Sequence, residues 1–138
     1  MPVYYTVDSE LQVVFVIHLG VVDDDEVLTA NEKLRLDPQV TPEHSYFVDL
    51  REARSELRST EALERLGERS RQWPSDPSSN SRVVVLAPRD ISYGLARMFE
   101  VYSGAAENKF GVFRDLHEAA DWLGIPISAI EKARSNVD

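Results

Sequence analysis

The sequence predicts a single α/β domain, residues 1–138, built on a mixed, mostly parallel five-stranded sheet with about four helices. Three observations predict it. Short β-rich runs alternate with helix-like segments along the chain. Leu11 to Leu19 (LQVVFVIHL) is β-branched and almost continuously apolar, as a strand covered on both faces must be. A turn at Asp8-Ser9-Glu10 folds the first two runs into an antiparallel hairpin, which makes the sheet mixed.

The elements follow in order. Val3 to Val7 opens the sheet, and Leu11 to Leu19 follows and ends at Gly20. Asp23 caps a helix running to about Leu36, with Glu26 as its capping-box partner. Asp37-Pro38 stops it, because the residue before proline avoids the helical region. Tyr46 to Leu50 (YFVDL) is the next strand, and the charged stretch Arg51 to Arg58 leads away from it to Ser59-Thr60. A helix carrying Ala62, Leu63, Leu66 and Trp73 comes next, then a Pro/Ser/Asn-rich surface loop, WPSDPSSNS. Arg82 to Ala87 (RVVVLA) is a strand, and Asp90 caps the helix after it, whose inner face carries Ile91, Leu95, Met98, Phe99 and Tyr102. Lys109 to Arg114 (KFGVFR) is the last strand. Asp115 caps a helix lined by Leu116, Ala119, Ala120 and Leu123 and closed by Gly124. Ser128 and Glu131 form another capping box, opening a tail helix from about 127 that frays near Asn136.

Composition bounds the function. With 15 Lys+Arg against 24 Asp+Glu the net charge is 15 − 24 = −9, which argues against a nucleic-acid backbone binder. The chain has no cysteine, so disulfides, thiolate zinc sites and cysteine nucleophiles are excluded. No apolar run approaches the roughly 18–20 residues of a membrane span, and no signal peptide is visible, so a soluble cytoplasmic protein is expected. At 43% hydrophobic residues the chain can bury a core.

Motifs that carry chemistry are few. Asp23-Asp24-Asp25-Glu26 could gather a hard cation, but acidic residues also fill a helix's first turn to cap its N–H groups, and that reading is preferred. His18, His44 and His117 share no metal-ligand spacing, and neither a nucleophile elbow nor HExxH is present. The six glycines are scattered, which removes phosphate-cradling loops; Gly94 reads as close packing of its helix on the sheet. No enzyme, metal or cofactor is expected. Arg51, Arg54 and Arg58, with Glu61, form a mixed-charge stretch that could meet a partner. Ser59 and Thr60 sit where a helix begins, so N-capping is their ordinary role, and a phosphate there would gain from Arg58 and the helix dipole.

The segments VVFVIHLGVVDDDEV, YFVDL, RVVVLAPRDISYGLARMFE and FGVFRDLHEAADWL together resemble the SpoIIAA-like family of the STAS superfamily, over about Val3 to Leu123. The resemblance implies a small bacterial α/β domain, related in shape to STAS and to lipid-binding CRAL-TRIO domains. In the superfamily's anti-sigma-factor antagonists, a serine at the head of the helix after the YFVDL-equivalent strand is phosphorylated by a partner kinase. Ser59 falls near that position, although Arg58 stands where the motif has Asp, and Thr60-Glu61 where it has Ser-Gly. The expected function is therefore a non-enzymatic regulatory or protein-interaction module, phospho-switched near Ser59 or Thr60, with Arg51, Arg54, Arg58 and Glu61 facing the partner. The alternative is a carrier of a small apolar or lipid-like ligand in a pocket lined by Leu95, Met98, Phe99, Tyr102, Leu116 and Leu123. Self-association through a sheet edge or the tail helix stays open.

Overall fold

In a computed structural model, residues 2–72 and 79–137 are described, with Glu107 described by its backbone alone. The first hairpin pairs β1 (Val3–Asp8) with β2 (Val13–Val21), antiparallel and in unbroken register. Its turn is built by Asp8, whose Oδ1 accepts the N–H groups of Glu10 and Leu11, and by Gln12 at φ 55°. After α1 (Asp24–Leu36), the chain adds β3 (Ser45–Arg54), α2 (Thr60–Gln72), β4 (Val83–Leu86), α3 (Asp90–Ser103), a 3₁₀ turn (Glu107–Lys109) and β5 (Phe110–Phe113). It ends in α4 (Leu116–Leu123) and α5 (Ile127–Ser135). Among the described residues the sheet has strand order β1-β2-β3-β4-β5, with every pair after the hairpin parallel. The expected mixed, mostly parallel α/β architecture is what forms.

That monotonic order decides where the helices go. Successive crossovers of one hand, each stepping the same way across the sheet, lay α1, α2 and α3 on one face. Val14 and Val16 accordingly pack with Val27, Ala30 and Leu34 of α1, and Val85 and Ala87 pack with Ala96 of α3. The opposite face is left for the C-terminal segment, where Phe15, Ile17, Phe47, Val84 and Leu86 meet Ala119, Ala120 and Leu123 of α4 and Ile130 and Ala133 of α5. Leu11 to Leu19 reads as continuously apolar because its two faces serve these two cores.

Local chemistry sets the ends of several elements as expected. Asp23 Oδ1 accepts the Glu26 N–H at 2.9 Å, and Glu26 Oε1 accepts the Asp23 N–H at 3.0 Å, a complete capping box. Asp115 caps α4 through the Glu118 N–H, and Gly124 closes it at φ 77°.

Five details differ from the sequence reading. The stretch Arg51–Arg54 belongs to β3 and is not a connection. A bulge there sets Ile17 and Leu19 of β2 opposite Asp49 and Glu52, so β3 carries one extra residue. Asp90 does not cap α3: Arg89 occupies the cap position without a side-chain cap bond, and the Asp90 carboxylate is held by Arg114. The buried positions of α3 are Ser92 and Ala96, while Ile91 is 57% exposed, so the inward face is rotated from the one predicted. Gly94 is open, with nothing near an added Cβ; the close approach is at Gly67 of α2, where a Cβ would lie 2.6 Å from Tyr102 Cβ. Pro126, not Ser128, precedes α5 as its cap residue, with no side-chain cap bond. Trp73 and most of the predicted 73–81 loop lie outside the described residues. Among those described, no helix is long and apolar enough to cross a membrane.

Candidate functional site: the rim above the parallel strands

Three consecutive strand-to-helix connections, 22–23, 55–59 and 87–89, leave neighbouring parallel strands on the same end of the sheet. All three cross to one face, so the strand order has no switch point among β2–β5 and the loops stand side by side without parting into a crevice. The rim is a surface more than a pocket.

Ser59 is its best-tied residue. Its backbone N–H donates to Asp24 Oδ1 at 3.1 Å and its hydroxyl donates to Asp24 Oδ2 at 2.8 Å. The same oxygen accepts the Ala62 N–H at 3.2 Å, so Ser59 caps α2 while it grips the head of α1. Arg58 Nε donates to Asp24 Oδ1 at 2.8 Å from a side chain only 10% exposed. Burial works against the charged Asp24, yet Arg58 and the Ser59 hydroxyl and N–H together hold its pKa below the usual carboxylate range. Thr60 is exposed as the first residue of α2.

His18 lies close enough to Arg58 to feel its charge, and it is buried. Burial pushes its pKa down to about 4, Arg58 adds to the depression and Asp49 opposes it, so the imidazole is neutral at pH 7. Deeper in the rim, the Ser55 and Ser92 hydroxyls share a 3.0 Å hydrogen bond, which ties the β3–α2 connection to α3. Arg114 bonds the Pro88 carbonyl at 2.8 Å and stacks over Tyr93, clamping the head of α3.

The other predicted partner residues divide. Arg51 Nε and Nη2 grip buried Asp49, at 3.0 Å to Oδ1 and 2.8 Å to Oδ2, and Nη1 reaches Glu131 of α5 at 2.7 Å. The Asp49 bond raises the Arg51 pKa, against the opposing effect of its burial, and Glu131 raises it further. Next to it, Glu52 pairs with Arg134 of the same helix. The bulge explains how two consecutive charged side chains both serve α5. Arg51 therefore belongs to the α5 face, and Arg58 to the α1 face. Arg54 and Glu61 are exposed.

The predicted apolar pocket is not assembled. Leu95, Met98, Phe99 and Tyr102 lie on α3, and Leu116 and Leu123 on α4, which cover opposite faces of the sheet. Of that set only Tyr102 borders the α2–α3 cleft of about 340 Å³, whose other lining is Glu64, Arg65, Glu68 and Arg71. The acidic run is used locally: Asp23 and Glu26 cap α1, and Asp24 holds Ser59 and Arg58.

Two features escaped the sequence. Asp24 as the partner of Ser59 is a contact across 35 residues with no local signal. Exposed Val21 (48%) ends β2, Leu57 (58%) lies in the β3–α2 connection and Ile91 (57%) in the first turn of α3, and each looks like an ordinary core residue in sequence. Compared with models of protein families the chain matches none, and no curated protein matches it.

Proposed function

We propose that the chain is a non-enzymatic regulatory module that binds a protein partner on this rim, with Ser59 as the residue whose modification switches it. The observation that carries the reading is the double use of the exposed Ser59 oxygen, as α2 cap and as donor to Asp24. A phosphate on that oxygen removes the proton given to Asp24 and sets a dianion against its carboxylate. Arg58, now bonded to Asp24, is the cation that a phosphate would draw away. The α1–α2 junction then loosens beside Val21, Leu57 and Ile91, an apolar set of the kind that protein partners cover. Nothing in the geometry favours the apolar carrier, since its lining residues do not meet.

Intact mass spectra of the protein purified from its own source, first native and then denatured, test the reading. Added phosphate that survives denaturation and maps to Ser59 supports the switch. Mass that departs on denaturation supports a carried ligand instead. The interaction is tested with a photo-crosslinking residue at Leu57 or Ile91, set against one at exposed Glu43 beyond the rim. Equal crosslinking from all three positions would remove the rim as the docking surface.

A further inference from the structure

The two edges of the sheet are guarded very differently. On the far side, β5 has only four residues, Phe110–Phe113, and lies between Lys109 and Arg114. Short edges flanked by charge resist pairing with another chain. β1 (Val3–Asp8) is longer, and its guards stand only at its ends, Pro2 before it and the charged Asp8 as its last residue. From Val3 to Val7 (VYYTV) it carries no charge, no proline and no bulge, and β2 is its sole strand neighbour among the described residues.

The register shows which backbone groups face outward. Leu19 N–H donates to the Pro2 carbonyl at 2.7 Å, which makes Pro2 and Leu19 a hydrogen-bonded pair of the antiparallel ladder. Alternation then turns the N–H and C=O of Tyr4, Thr6 and Asp8 toward β2, and those of Val3, Tyr5 and Val7 away from it; Val3 is buried, and Tyr5 and Val7 are half-buried. None of these outward groups has a hydrogen bond to another described residue. The outward array is symmetric about Tyr5.

We propose that the β1 edge pairs antiparallel with the β1 edge of a second copy of this chain, with the two-fold axis at Tyr5, giving one sheet continuous across the dimer. In that register Tyr5 exchanges N–H···O=C bonds with its own mate, and Val3 exchanges them with the mate of Val7, so every outward group finds its complement. The cross-strand pairs are Val with Val, Tyr with Tyr, and Tyr4 with Thr6, combinations of β-branched and aromatic side chains that stabilise sheets. A cleft of about 220 Å³, lined by Tyr4, Tyr5, Thr6, Ile17, Ala133, Asn136 and Val137, runs beside the strand next to α5 and leaves room along that face. The opposing force is charge: each copy carries −9, so salt strengthens the association by screening. The pairing is independent of the partner rim, which lies at the ends of β2–β4, and either can fail alone.

Sedimentation of the full chain over a concentration series tests it, with the expected species twice 15.6 kDa and its fraction rising with salt. In hydrogen exchange, the outward amides of Val3, Tyr5 and Val7 slow as the dimer fills. Val7→Pro deletes one outward donor without touching a bond to β2, and Thr6→Lys places like charges near the axis; each is expected to return the chain to 15.6 kDa with unchanged far-ultraviolet circular dichroism. If Val7→Pro does not fold, Thr6→Lys decides. A monomer at every concentration overturns the proposal, and so does a dimer that survives Thr6→Lys or leaves those amides exchanging freely.

Discussion

The Ser59 hydroxyl lies 2.8 Å from Asp24 Oδ2 and 3.2 Å from the Ala62 N–H, so a single oxygen joins the heads of α1 and α2. Both helices begin on the same end of the sheet because their crossovers run in parallel between neighbouring strands. The contact is thus a product of topology, and its chemistry depends on which charge occupies position 59.

Asparagine and aspartate cap helices about equally well, so Ser59→Asn and Ser59→Asp separate capping from charge. The aspartate variant sets a second carboxylate against Asp24 and is expected to be less stable than the asparagine variant by about 1 kcal/mol at pH 7. Urea denaturation of both variants measures the gap, which closes at a pH low enough to protonate the carboxylates. Equal stability at pH 7 would mean that position 59 does not face Asp24.

Arg58 is the buried half of its ion pair, with a side chain 10% exposed against 22% for Asp24. Arg58→Met keeps much of the side-chain volume but leaves Asp24 without its cation, and is expected to cost about 2 kcal/mol. Asp24→Asn relieves part of that loss. A double-mutant cycle read by chemical denaturation should return a favourable coupling of about 1 kcal/mol or more between the two positions. Additive effects would show that the contact, hydrogen bond included, contributes no net coupling.

The elements that were legible in the sequence are those fixed by nearby residues. The Asp23–Glu26 capping box, the Asp115 cap with Gly124, and the apolar strand Leu11–Leu19 each carry their signal within a few positions. Ser59 as a cap was legible for the same reason. What was hidden depends on distant partners. The charged end of β3 looks like a loop because its charges are neutralised by α5, 80 and 82 residues away. The inward face of α3 is not legible because α3 packs through small Ser92 and Ala96, and a hydrophobic stripe marks only large side chains. The division of α3 and α4 between opposite faces follows from strand order, which periodicity does not encode.

His18 makes stability pH-dependent in a defined direction. Its folded-state pKa of about 4 lies below the ordinary 6.5, chiefly through burial and secondarily through Arg58, with Asp49 opposing. The unfolded chain therefore binds the proton more readily. The contribution is complete above about pH 6.5 and is lost as the pH falls toward 4, amounting to about 3 kcal/mol across that window. His18→Leu removes the titrating group and should flatten the fall in unfolding free energy between pH 6.5 and 4 relative to the parent chain. Parallel slopes in the two proteins would show that His18 is solvated and titrates normally.

Two glycines in helices test the packing directly, because the same substitution has opposite expected signs. In an open helix interior, Gly→Ala gains about 0.5–1 kcal/mol by narrowing the unfolded ensemble and improving helix propensity. Gly94 of α3 meets that condition, since nothing lies within 4 Å of an added Cβ. Gly67 of α2 does not: its Cβ would stand 2.6 Å from Tyr102 Cβ and 2.8 Å from the Tyr102 carbonyl carbon. Neither atom can swing away by a change of rotamer, because both are fixed to the α3 backbone. The helices must separate, at a cost of about 1–3 kcal/mol that exceeds the propensity gain. Thermal unfolding should raise the midpoint for Gly94→Ala and lower it for Gly67→Ala. A rise in both would place α2 and α3 farther apart than the contact between Gly67 and Tyr102 requires.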